Sequence, residues 1–128
     1  MKTSKLQGAA LDWAVAKCSG HMEQYDFEDG KIWLNAEAMD LYSPSTCWSQ
    51  GGPIIEQEDI SFRKYHNPDS PAHGKYYAQV CQSASAVIHW KDWGTKVLPG
   101  PTSLIAAMRC YVASKLGDEV EIPKELNG

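Results

Sequence analysis

The stretch PGPTSLIAAMRCYVASKLGDEVEIP, residues 99–123, carries the clearest periodic signal in the chain, and the fold is read outward from it. Thr102 has the side chain of an N-cap, which places a helix start near Ser103. Leu104, Met108, Tyr111, Val112 and Lys115 then recur on related helical faces, with Leu116 near the end. Gly117 is a natural C-terminal stop, and Lys115 complements the negative end of the helix dipole. About fifteen residues make a rod of roughly 22 Å. A rod with an apolar side needs other elements to cover it.

The N-terminal covering element is a second helix, from about Leu6 to Cys18. In it Leu11, Val15 and Cys18 share a face with Trp13 or Ala14 at the margin, and several alanines favour helix without adding bulk. Ser19, Gly20 and His21 read as its stop, and residues 21–30 as a polar loop. KIWLNAEAMDLY, residues 31–42, opens as a strand and continues into a turn. Pro44 and Pro53 discourage regular structure across YSPSTCWSQGGPIIE, residues 42–56, so that stretch reads as an ordered loop. A short helix starting at Pro53 runs through Ile60, or else Gly51 and Gly52 turn the chain into further loop. HNPDSPAHG, residues 66–74, is a turn-rich surface connection, and KYYAQVC (75–81) and ASAVIHWKDW (84–93) read as strands. The expectation is an α+β fold: a compact small antiparallel sheet packed against an N-terminal helix and a longer C-terminal helix, one domain over 1–128 with 121–128 an exposed tail.

Composition narrows the function classes. With 128 residues, 43% hydrophobic and 22% charged, the chain is globular in type. A net charge of −4 disfavours a nonspecific nucleic-acid binder, although it leaves room for a local basic patch. Asp12 interrupts the early apolar run, so the N-terminus reads as helix rather than signal peptide, and no stretch of eighteen apolar residues proposes a membrane span. Cys18, Cys47, Cys81 and Cys110 form no CxxC pair and read as free thiols, with a disulfide or a distributed metal site as alternatives. The four histidines are too scattered for a linear metal motif, and no metal or cofactor is expected.

Site chemistry concentrates in the proline-flanked loop and the start of the last helix. Trp48 offers a face for an apolar or aromatic ligand, and Tyr42, Ser45, Thr46 and Gln50 offer polar contacts around it. Thr102, at a helix N-terminus, and Arg109 are partners for an anionic group. Each has an ordinary structural role as well: Trp48 and Tyr42 as core or interface anchors, Ser45, Thr46 and Gln50 as partners of loop backbone, Thr102 as a cap and Arg109 in an ion pair. Trp90 and Trp93 in HWKDW are a second aromatic pair, which core packing explains first. No GxSxG, HExxH, Walker or dinucleotide loop is present, so the chain reads as noncatalytic.

In ALDWAVAKC, YSPSTCWSQGGPIIE and GPTSLIAAMRCYVASKLGDEVEIP the chain resembles the NinX-type proteins of bacteriophage accessory regions. The resemblance covers both ends and the middle and implies a phage origin and action in the host bacterial cytoplasm, without supplying an activity. Joined to the aromatic, hydroxyl and arginine inventory, it leads to the expectation of a protein that binds and sequesters a small nucleotide-derived host defence signal. The alternatives are a protein-interaction module that inhibits or redirects a host enzyme or replication component, and a small hydrolase. A homodimer or higher homo-oligomer is compatible with a chain of this size.

Overall fold

The computed structural model describes residues 2–20, 26–28, 31–35, 40–64, 75–80 and 98–123. A short 3-10 helix η1 (Thr3–Lys5) leads into α1 (Gly8–Ser19). The strands β1 (Asp26–Glu28), β2 (Lys31–Asn35) and β3 (Asp40–Leu41) follow, then α2 (Trp48–Glu58), β4 (Ile60–Lys64), β5 (Tyr76–Val80), β6 (Leu98–Gly100) and α3 (Ser103–Leu116). Each three-strand group forms an antiparallel sheet in sequence order, β1-β2-β3 and β4-β5-β6.

The class is α+β, and α3 is its organising element. It packs across β4, β5 and β6 and also against α1, α2 and η1. Residues 106–112 are therefore all buried, where the sequence pattern predicts one buried side. Ala106, Ala107 and Cys110 are small enough to let neighbours close on the helix from several directions, and the larger Met108 and Val112 fill the space between them. Leu6, Leu11 and Val15 reach this core from the N-terminal elements, Ile32 from the first sheet and Leu98 from the second. Thr102 caps α3 as its residue type predicts, accepting from the Ile105 amide at 3.1 Å. Gly117 ends it with φ 87°, a conformation that an L side chain resists.

The chain's two ends are stitched together. Thr3 is fully buried, its hydroxyl donating to the Gly117 carbonyl at 2.7 Å and its amide to the Asp118 carbonyl at 2.8 Å, and Lys2 forms an antiparallel bridge with Glu119. Val120 is buried and Ile122 packs partly against the core. Of the expected tail, Glu121 is exposed and Ile122 and Pro123 are partly buried, and residues 124–128 lie outside the described residues.

Several local expectations are corrected. Residues 26–28, read as loop, pair with β2. The helix expected from Pro53 begins at Trp48 and contains that proline. Pro53 removes the amide that would bond to the carbonyl of Ser49, but Ser49 is exposed and water can take that bond. Gly51 is needed there because a Cβ would stand 2.5 Å from the Pro44 carbonyl oxygen and 2.7 Å from Leu104 Cδ1. The helix also ends before Ile60: Asp59 adopts φ 55° and turns the chain into β4. β4 and β6 were not anticipated, whereas β5 falls within the expected 75–81 strand. The expected loop over 66–74 and strand over 84–93, with Trp90 and Trp93, lie outside the described residues.

Candidate functional site

The β3–α2 connection is built from its own backbone requirements. The Tyr42 amide donates to the Ile32 carbonyl at 2.8 Å, and the Tyr42 side chain is buried. Gln50, in the first turn of α2, bridges the connection: its Oε1 accepts from the Ser43 amide at 2.6 Å and its Nε2 donates to the Leu41 carbonyl at 2.8 Å. Thr46 is exposed and its hydroxyl donates to the Ser43 carbonyl at 3.4 Å. Trp48 is 52% exposed, with its ring centroid 5.8 Å from that of Phe62 on β4. Tyr42, Ser45, Thr46, Trp48 and Gln50 are thus brought into one neighbourhood, but Tyr42 and Gln50 serve it mainly as structure.

Ser45 ties this connection to α1. Its amide donates to Asp12 Oδ1 at 2.9 Å, and both residues are buried. Burial pushes the Asp12 carboxyl up to about 6, with the Ser45 amide and the adjacent Ser45 hydroxyl acting in the opposite direction. That hydroxyl oxygen lies close enough to lower the pKa but reaches no hydrogen-bond geometry with any described residue.

Arg109 belongs to a different place. It is 7% exposed, and its guanidinium joins two elements by donating from Nε to the Leu6 carbonyl at 2.7 Å and from Nη1 to the Pro99 carbonyl at 2.8 Å. Burial lowers its pKa, although a guanidinium stays protonated. Beside it opens a cavity of about 430 Å³ lined by Ser4, Lys5, Gln7, Lys75, Pro99, Gly100, Pro101 and Arg109. Lys5 and Lys75 are exposed and belong to its open side, whereas Arg109 belongs to its buried wall. Among the described residues, no carboxylate lies within ion-pair distance of these three cations; the Lys115–Glu58 pair at 3.5 Å joins the ends of α3 and α2 instead. In a chain of net charge −4 this is a local concentration of positive charge in a concave site.

Of the seven residues singled out from the sequence, Arg109 alone lines this cavity. Thr102 is occupied as a helix cap, and the five residues of the β3–α2 region lie outside the cavity wall. Sequence reasoning missed Ser4, Lys5, Gln7 and Lys75 because they come from segments far apart in the chain, assembled only when η1 and β5 dock beside α3. The available signal was one cation, Arg109, inside an otherwise apolar helical run.

Fold and cavity define a small α+β protein, centred on one surrounded helix, with a cationic concave site among its described residues. Residues 2–115 match the protein family described as Bacteriophage P22, NinX, and the chain belongs to that family. It is a phage accessory protein. No match to a curated protein is found. Among the described residues no helix is long and apolar enough to cross a membrane, and no three His, Cys, Asp or Glu side chains are grouped as metal ligands.

Proposed function

We propose that this phage accessory protein acts in the host cytoplasm by binding and sequestering, without chemistry, a small nucleotide-derived host defence signal. The observation that carries the reading is the convergence of Lys5, Lys75 and Arg109 on one cavity without a carboxylate partner among the described residues. Its volume of about 430 Å³ falls in the range of small-molecule sites. Arg109 is held at two points, so part of the site is preorganised before a ligand arrives. Retention without turnover works when protein exceeds signal and the dissociation constant lies below the signal concentration.

The test is to incubate purified protein with extracts of bacteria whose nucleotide-based defences have been activated, remove unbound molecules, denature the protein and identify what is released by mass spectrometry. An enriched intact nucleotide supports sequestration. A processed product identifies an enzyme instead, and no enriched molecule from folded protein in a signal-containing extract rejects the reading.

A protein-interaction role is the second reading, favoured by Trp48, which is half exposed and packs beside exposed Phe62. Aromatic side chains of this kind are effective interface anchors. Loss of a host-protein complex in Trp48→Ala, with small-molecule retention unchanged, would support that role over sequestration.

A further inference from the structure

Resting on that reading, we infer that the cavity between η1, the β5–β6 pair and α3 holds the diphosphate group of its ligand, with Arg109 at the buried wall and Lys5 and Lys75 at the open side. Sugar and base then lie toward the mouth.

Charge and hydrogen bonding both point this way. A guanidinium has five N–H donors. Arg109 uses Nε and one Nη1 hydrogen on the carbonyls of Leu6 and Pro99, which leaves the second Nη1 hydrogen and both Nη2 hydrogens without a partner among the described residues. Arg109 is part of the cavity wall, so these are the donors it has left to offer a ligand there. A nearly buried cation without a counter-charge is unfavourable, and an anion at that wall relieves the deficit.

The amount of charge selects the group. Arg109, Lys5 and Lys75 together present three positive charges. A single phosphate monoester carries about −1.5 to −2 near neutral pH, so one phosphate leaves part of the site uncompensated and two linked phosphates match it better. Among the described residues the wall contains no aromatic side chain to grip a base by stacking and no carboxylate to repel the phosphates. Ser4 and Gln7 add neutral hydrogen-bonding groups suited to phosphate or sugar oxygens. The wall at Gly100 is fixed, because even a Cβ there would meet the Ala106 backbone nitrogen at 2.7 Å.

The test is calorimetric titration of the full chain with inorganic pyrophosphate, inorganic phosphate, ADP and adenosine, repeated on Lys5→Gln, Lys75→Gln and the double variant. Both lysines are exposed, so these changes leave the fold in place, which circular dichroism checks. Pyrophosphate and ADP are expected to bind at least tenfold more tightly than phosphate, adenosine not to bind, and the double variant to lose tenfold or more for pyrophosphate. Binding should weaken as salt rises. Pyrophosphate binding no tighter than phosphate, or binding unchanged in the double variant, overturns the inference. Retention of a nucleotide from cell extract by the double variant overturns the diphosphate assignment while sequestration stands. Lysine-dependent pyrophosphate binding with no molecule retained from extract supports the site and rejects sequestration.

Discussion

Arg109 on α3 donates to the carbonyl of Leu6, 103 positions earlier, at 2.7 Å, and the same guanidinium reaches the carbonyl of Pro99 at 2.8 Å. One side chain thereby fastens the N-terminal segment and β6 to the central helix. Replacing Arg109 with leucine strands two carbonyls, and the expected loss of stability is about 2–4 kcal/mol. Lysine keeps the charge but cannot reproduce a planar two-point donor, so Arg109→Lys is expected to lose about 1–3 kcal/mol. Urea denaturation measures both, and two variants as stable as the parent would show that the clamp is dispensable.

Asp12 makes stability depend on acidity. Its carboxyl is 5% exposed and is pushed from 3.8 to about 6 in the fold, so between these values the native chain holds a proton that the unfolded chain has released. Its contribution is therefore most favourable below pH 4 and is lost as pH rises to about 6, by roughly 3 kcal/mol in total. Asp12→Asn preserves an acceptor for the Ser45 amide and removes the titration. Compared by denaturation from pH 4 to 7, the variant should gain on the parent as pH rises; parallel profiles would contradict the assignment.

Adjacent glycines in α2 are predicted to respond with opposite signs. Gly51→Ala puts a methyl group 2.5 Å from the Pro44 carbonyl oxygen and 2.7 Å from Leu104 Cδ1, and is expected to cost about 1–3 kcal/mol. A Cβ on Gly52 meets nothing within 4 Å, so Gly52→Ala is expected to stabilise by about 0.5–1 kcal/mol through helix propensity. Thermal unfolding of the pair decides the point, and a shared sign would place α2 differently against Pro44.

Cys18 and Cys47 are free thiols, Cys110 is buried, and the three are predicted to react unequally. The Ser49 hydroxyl at 3.0 Å and, after it, the Gln50 backbone lower the Cys47 pKa. Burial pushes Cys18 up to about 11, and Cys110 is buried. Among these three, Cys47 should be alkylated first by iodoacetamide near neutral pH, and Ser49→Ala should slow it. Peptide mapping over time reads the order, and Cys18 reacting first would refute it.

Legibility followed how local each cause was. The cap at Thr102, the stop at Gly117 and the strand around Tyr76–Val80 depend on neighbouring residues and were visible. The β1–β2 pairing also has a local signal in the sequence: paired Glu28 and Lys31 flank Asp-Gly, a dipeptide favoured in two-residue hairpins. Proline drew attention away from the true start of α2, because its cost depends on whether the carbonyl it leaves unpaired can find water.

Consecutive residues suffice to specify an α+β chain of the NinX family with a capped C-terminal helix containing one embedded arginine, since propensity, capping and family pattern are local properties. Tertiary structure alone decided that α3 is surrounded, that Gln50 serves the backbone, and that Arg109 meets Lys5 and Lys75 rather than Trp48 in one cavity. Burial and charge convergence arise from contacts between segments as far apart as η1, β5 and α3, and linear spacing does not encode the distances between them.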